Sequence, residues 1–283
     1  ILRKTFNSFQ NNTEQITSVV RASYGSFILT GKILINSDYN VFIMAVTPEG
    51  NVLWAKNYGG SDWDFAKDIV QISANNFVIC GETYSQSNGG SDAFLLRINA
   101  QGDSLKYNQF GGADDDCANA VCYNHNQELV VSGYTKSYGV GSKDVFYYRT
   151  SEQLDSLHFK VNLSPYSIEV YDIIQSHDSN YVAVGYYTDS LTHTNAWIKK
   201  MNDTGTYLWS HKQSKVLDEG TYYSILQNLP NQSYYVVGNS NYYGNGGKEV
   251  IVHRINRNGY FETGLTFGDV KDDVGYHLRQ DQD

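Results

Sequence analysis

The chain of 283 residues is short of charge, proline and cysteine. Charged residues make up 18% and proline occurs three times, so no segment has the composition of a disordered tail or a proline-rich linker. The formal charge is −9 and the Lys and Arg residues are scattered. The basic stripe needed to displace counterions is missing, which argues against a nucleic-acid partner. No apolar run nears the roughly 18 residues of a membrane span. No initiating Met or signal peptide precedes "ILRKTFN", which reads as a mature or truncated product whose targeting signal lies elsewhere. Cys80, Cys117 and Cys122 make no disulfide framework, because Cys117 and Cys122 fall on opposite faces of one expected strand. At least one thiol is free or pairs outside the chain, and small buried hydrophobes are the plain reading of all three.

Signatures of catalysis are missing too. The histidines at 125, 158, 177, 193, 211, 253 and 277 show no zinc-binding spacing, and no serine stands in a nucleophile elbow. The glycine-rich "YYGNGGKE" suggests a phosphate loop only in isolation. It occupies the same inter-strand position as "SQSNGGSD" and "SYGVGSKD". Four N-glycosylation sequons begin at Asn11, Asn162, Asn202 and Asn231, no more than chance provides in a chain this rich in Asn, Ser and Thr; Asn202 and Asn231 fall on expected turns.

What the chain does have is core material and a period. Hydrophobic residues reach 41% and aromatics 14%, with 24 tyrosines. Five segments align on Phe42, Phe94, Phe146, Trp197 and Ile251, at spacings of 52, 52, 51 and 54. Eight residues after each centre stands Gly50, Gly102, Leu154, Gly205 or Gly259, so four of the five turns keep the glycine that a positive φ favours. A second glycine series, Gly31, Gly81, Gly133, Gly185 and Gly238, follows short apolar runs such as "FVICG". A third is "YGG" at 58–60 and "FGG" at 110–112, decaying to "FGD" at 267–269.

Each unit reads as four short strands in about 52 residues, the arithmetic of a β-propeller blade. Continuous apolar runs such as Phe94-Leu95-Leu96 fit sheets covered on both faces. The expected fold is all-β, a propeller of four-stranded antiparallel blades forming a single domain over 1–283. Its repeats run over about 13–60, 61–112, 113–162, 163–213 and 214–269. Residues 1–12 and 270–283 are expected to give partial-blade strands, a last and a first, so the complete propeller would hold about six or seven blades.

The stretch "DAFLLRINAQGDSLKYNQFGGADDDCANAV" (92–121) resembles the SBBP-type bacterial β-propeller repeat, with its short Gly turn, double glycine and acidic "DD-x-A" start; residues 40–83 match nearly as well. The resemblance weakens after Ser151, and kelch repeats, which share the period, come second. It implies an extracytoplasmic setting, in a secreted or surface protein, and brings no catalytic residues.

One constellation recurs. Asp64, Asp116, Asp218 and Asp273, with Glu14 in roughly the same place, precede small residues that open first strands; the fourth unit has Ile168 instead. One reading is a Ca2+ or other cation site at a channel rim, because hard cations take several oxygen ligands. The other is an Asx-type role in each inter-blade loop, which once-per-blade recurrence favours. Loop tyrosines Tyr84, Tyr138, Tyr186, Tyr187, Tyr242 and Tyr243 suit contact with proteins or glycans, or else outer-strand packing. The expected function is a non-enzymatic extracytoplasmic interaction or structural module of a larger assembly, without an obligatory cofactor. The alternatives are a carbohydrate-binding lectin and a glycan- or peptide-acting propeller enzyme, a hydrolase or lyase.

Overall fold

A computed structural model describes residues 13–140, 142–190, 193–212, 219–241 and 247–280. Asp218, Tyr242, Tyr243 and the expected strand over 1–12 lie outside the described residues. Those described contain twenty strands and no helix, so none is long and apolar enough to cross a membrane.

The strands form five four-stranded antiparallel sheets, each in chain order. The first holds β1 (Thr13–Arg21), β2 (Phe27–Ile35), β3 (Asp38–Val46) and β4 (Val52–Tyr58). The second holds β5 (Asp64–Ser73), β6 (Asn76–Thr83), β7 (Asp92–Asn99) and β8 (Ser104–Phe110). β9 (Asp116–Tyr123), β10 (Glu128–Thr135), β11 (Asp144–Ser151) and β12 (Ser156–Asn162) make the third. β13 (Ile168–Gln175), β14 (Tyr181–Thr188), β15 (Thr194–Met201) and β16 (Tyr207–Lys212) make the fourth. β17 (Gly220–Gln227), β18 (Tyr234–Ser240), β19 (Glu249–Ile255) and β20 (Phe261–Phe267) make the fifth. By contact density the chain divides into two compact units, Ile1–Val131 with Arg149–Leu157, and Ser132–Tyr148 with His158–Asp283.

In the first unit, Val41, Ile43 and Ala45 on one face of β3 pack against Phe77, Ile79, Phe94 and Leu96 of the second sheet. The alternate residues Phe42, Met44 and Val46 are buried on the opposite face with Ile33. Both faces of a third strand are therefore covered, which is why its apolar residues run without alternation. In the second unit, Val182, Val184, Ala196 and Ile198 of the fourth sheet meet Tyr222, Tyr234, Val236 and Ile251 of the fifth.

The first strands β1, β5, β13 and β17 each carry a bulge, skipping Thr17, Lys67, Tyr171 and Tyr223 in turn, next to a glycine of the second series on the partner strand. The expected first strand beyond 270 is corrected. Residues 268–280 form no strand and touch the fifth sheet through Gly275 N–H on the Gly238 carbonyl (3.4 Å) and Leu278 N–H on Ser224 Oγ (3.4 Å). A first strand gains its ladder from a second strand of its own sheet, and here the segment pairs with none.

Candidate functional site

Asp64 opens β5 and is buried. Its Oδ2 accepts the Gly60 N–H (2.9 Å) and the Ser85 hydroxyl (3.1 Å), and its Oδ1 accepts the Thr83 hydroxyl. Burial pushes its carboxyl above the usual range, although these hydrogen bonds pull the other way. Asp116 repeats the main contact with Gly112 N–H at 2.8 Å, and Asp273 with Asp269 N–H at 3.0 Å. Asp64 and Asp116 thus close the connection into their strands by accepting the N–H four residues back, the Asx-type geometry, and Asp273 makes the same loop contact without a strand to enter. Glu14 pairs opposite Ile33, as Asp64 does opposite Thr83.

A second polar series, which no motif marks in the sequence, completes each clasp: Asn40, Asp92 and Glu249, at or near the start of third strands. A Cβ on Gly111 would stand 2.1 Å from Asp92 Oδ1 and 2.9 Å from Asp116 Oδ2; Gly59 is held in the same way by Asn40 and Asp64. The double glycine admits two polar side chains against the backbone. Where Ile168 replaces the first-strand acid, Asp144 of β11 takes over. Its Oδ1 accepts the Ser164 N–H (2.6 Å) and its Oδ2 the Val140 N–H (2.8 Å). Among the described residues no three His, Cys, Asp or Glu side chains are grouped to hold a metal ion. None of the three cysteines forms a disulfide among the described residues, and Cys80 and Cys117 are buried.

Beside Asp64 in the first unit lies a cavity of about 320 Å³, floored by Val41, Phe94 and Leu96 and edged by Tyr107 and Gln109. Burial pushes the Tyr107 hydroxyl up to about 12, so it is a donor at neutral pH.

The same unit presents an aromatic cluster. Trp63, 46% exposed, meets Tyr39 (5.8 Å between ring centres), Phe65 (6.2 Å) and Tyr84 (6.3 Å), mostly edge to face. The Tyr84 N–H donates to the Trp63 carbonyl (2.8 Å), which fixes the rings through the backbone. Lys32 Nζ lies 4.8 Å from the centre of Tyr39 and 5.0 Å from that of Phe65. Lys67 pairs with Glu82 at 2.7 Å. By strand register the place of Trp63, one residue before the one paired opposite Thr83, is held in the other repeats by Thr13, Asp115, Ser167, Glu219 and Asp272, and Gly220 rather than Asp218 takes the place of Asp64 in the fifth.

The remaining tyrosines divide. Tyr138 is exposed and meets Phe159 edge to face. Tyr186 and Tyr187 belong to β14 and not to a loop. Tyr187 is buried against Tyr166, so its reading as an exposed contact residue is corrected; its alternating position turns it into the sheet packing. Tyr186 donates to Glu169 (3.0 Å), which also pairs with Lys143 (2.5 Å), and lies on Tyr171, which lies on Tyr223, which meets Tyr276. Tyr171 and Tyr223 are the bulge residues, and no hydrophobic periodicity marks a bulge in advance.

No family model matches the chain, and no curated protein matches it by sequence. Among solved structures it is similar to the apocarotenoid oxygenase of Synechocystis in two mutant forms, at 7% and 8% identity with TM-scores of 0.53 and 0.55. The match covers 93% of this chain and 65% of that one, so the chain spans less than two thirds of the oxygenase. The β-propeller domain of the trilobed protease from Pyrococcus furiosus is similar at 9% identity and a TM-score of 0.46, over 93% of this chain and 72% of that one. Identities this low speak of fold alone. The sheets and their repeat define an all-β protein built of β-propeller blades.

Proposed function

We propose that the protein is a non-enzymatic binding module, an extracytoplasmic propeller of the SBBP type completed by about six or seven blades, that presents loops to a protein or glycan partner within a larger assembly. The observation that supports this reading is Trp63. It breaks the repeat at a position where other units carry Thr, Asp, Ser or Glu, and it is half-exposed in a cluster held by backbone hydrogen bonding. A rigid, partly exposed tryptophan flanked by tyrosines supplies contact area at small entropic cost. The clasp acids, by contrast, are engaged with backbone N–H groups.

The test is an array of glycans and secreted proteins probed with the chain and with Trp63→Ala. A ligand retained by the first and weakened about tenfold or more in the second supports the reading. Binding indifferent to Trp63, or turnover of the bound molecule, sinks it.

A further inference from the structure

The first and second sheets meet beside Trp54, whose Nε1 donates to the Ala100 carbonyl at 3.0 Å. Around it stand Ala22, Ala45 and Phe77, all buried in one apolar cluster, so this junction is dry. The fourth and fifth sheets form the corresponding junction of the other unit, with Trp209 in the place of Trp54. There Ala22, Ala45, Phe77 and Ala100 are replaced by Ser176, Lys200, Tyr234 and Arg257. All four polar replacements line a cavity of about 450 Å³ at this junction. Such an exchange weakens a sheet junction, and it makes physical sense where a ligand fills the space.

The groups in the cavity are arranged for binding. Lys200, 6% exposed, pairs with Asp178 (2.6 Å) and donates to Tyr234 OH (3.2 Å), which also shares a hydrogen bond with Ser176 Oγ (2.8 Å). An ammonium has three protons, and the third has no acceptor among the described residues. Arg257 lines the cavity from the β19–β20 turn and makes no hydrogen bond or ion pair among the described residues. The Trp209 indole N–H, satisfied by a carbonyl in the Trp54 junction, has no acceptor here among the described residues. Two cations face one carboxylate beside an indole wall, in a chain whose net charge is −9.

We infer that this cavity binds a hexuronate, a sugar ring bearing one carboxylate. The carboxylate is matched by Arg257 and Lys200, and the ring hydroxyls by the in-plane indole N–H of Trp209 and by Tyr234. The inference rests on the second unit alone and does not depend on Trp63.

The test is an NMR titration of the Trp209 indole N–H, assigned by loss of its signal in Trp209→Phe. The probes are glucuronate, glucose without the carboxylate, and acetate without the ring. Glucuronate should shift the signal with an affinity roughly tenfold or more above either control, and Arg257→Gln should abolish that advantage. Arg257 is exposed and touches no described partner, so its variant keeps the fold, and an unchanged melting temperature verifies this. Lys200→Met, similar in length, is the second variant and should also lose the preference. Glucose or acetate binding as well as glucuronate, no shift at all, or a preference that survives Arg257→Gln would each overturn the inference.

Discussion

A carboxylate buried in a β-rich protein must be hydrogen-bonded, and Asp144 shows how much structure can depend on one. It is fully buried and accepts two backbone N–H groups, from Val140 and Ser164. Asp144→Ala strands both, and should cost about 3 kcal/mol in chemical denaturation; Asp144→Asn, which keeps one acceptor oxygen, should cost less. His253 supplies a pH test. Burial lowers its pKa from 6.5 to about 4, and Tyr222 OH shares a hydrogen bond with its Nδ1 at 2.8 Å. The folded state therefore holds it neutral while the unfolded chain takes up a proton below 6.5. Stability present above that pH is lost as pH falls from 6.5 through 4, by up to about 3 kcal/mol. Melting temperatures of His253→Gln should lack that part of the acid slope. The first-strand acids are legible in the sequence because one residue type recurs at one place. Their partners are not, because Asn40, Asp92 and Glu249 vary in type and tie into the next connection only once the chain is folded.

Among elements, the third-to-fourth-strand turns explain the one departure from the glycine series. Gly102 has φ +78°, and a Cβ there would stand 2.7 Å from the Trp54 ring of the preceding sheet. Leu154 adopts φ +60° in the equivalent turn and is 2% exposed. The residue at the Trp54 position of its preceding sheet is Lys106, which reaches past to Asp155 at 2.8 Å and leaves room for the leucine. The pair can be exchanged. Gly102→Leu alone should destabilise by about 2–3 kcal/mol, and adding Trp54→Lys should cost at least about 1 kcal/mol less than the two separate losses predict. An additive cycle in urea would remove the steric account. Strand positions and turn centres are readable from periodicity and glycine, whereas this compensation joins residues about fifty apart and needs the packed sheets to be seen.

Across the molecule, protection should follow the layering. Third strands such as β7 are paired on both edges and buried on both faces, while every side chain of β20 is exposed and its backbone pairs with β19 alone. In hydrogen exchange, amides of β20 should be replaced roughly tenfold or more faster than those of β7; equal rates would mean that the sheets open together. The repeat period makes the all-β blade architecture legible from the sequence alone. The aromatic cluster around Trp63 and the cationic cavity around Lys200 are not, since each draws its residues from several strands and a single odd residue in a repeat is indistinguishable from drift.

The clasp around Gly111 has a practical consequence for anyone building arrays from this chain. Its parts, Asp92, the double glycine and Asp116, straddle the end of one sheet and the start of the next. A cassette cut at sheet boundaries would sever the Asp64 and Asp116 clasps, whereas one cut just before a third strand, as from 92 to 143, carries the Asp116 clasp whole and gives up only the Val140 contact of Asp144. The natural brick for duplication is therefore the seam and not the sheet.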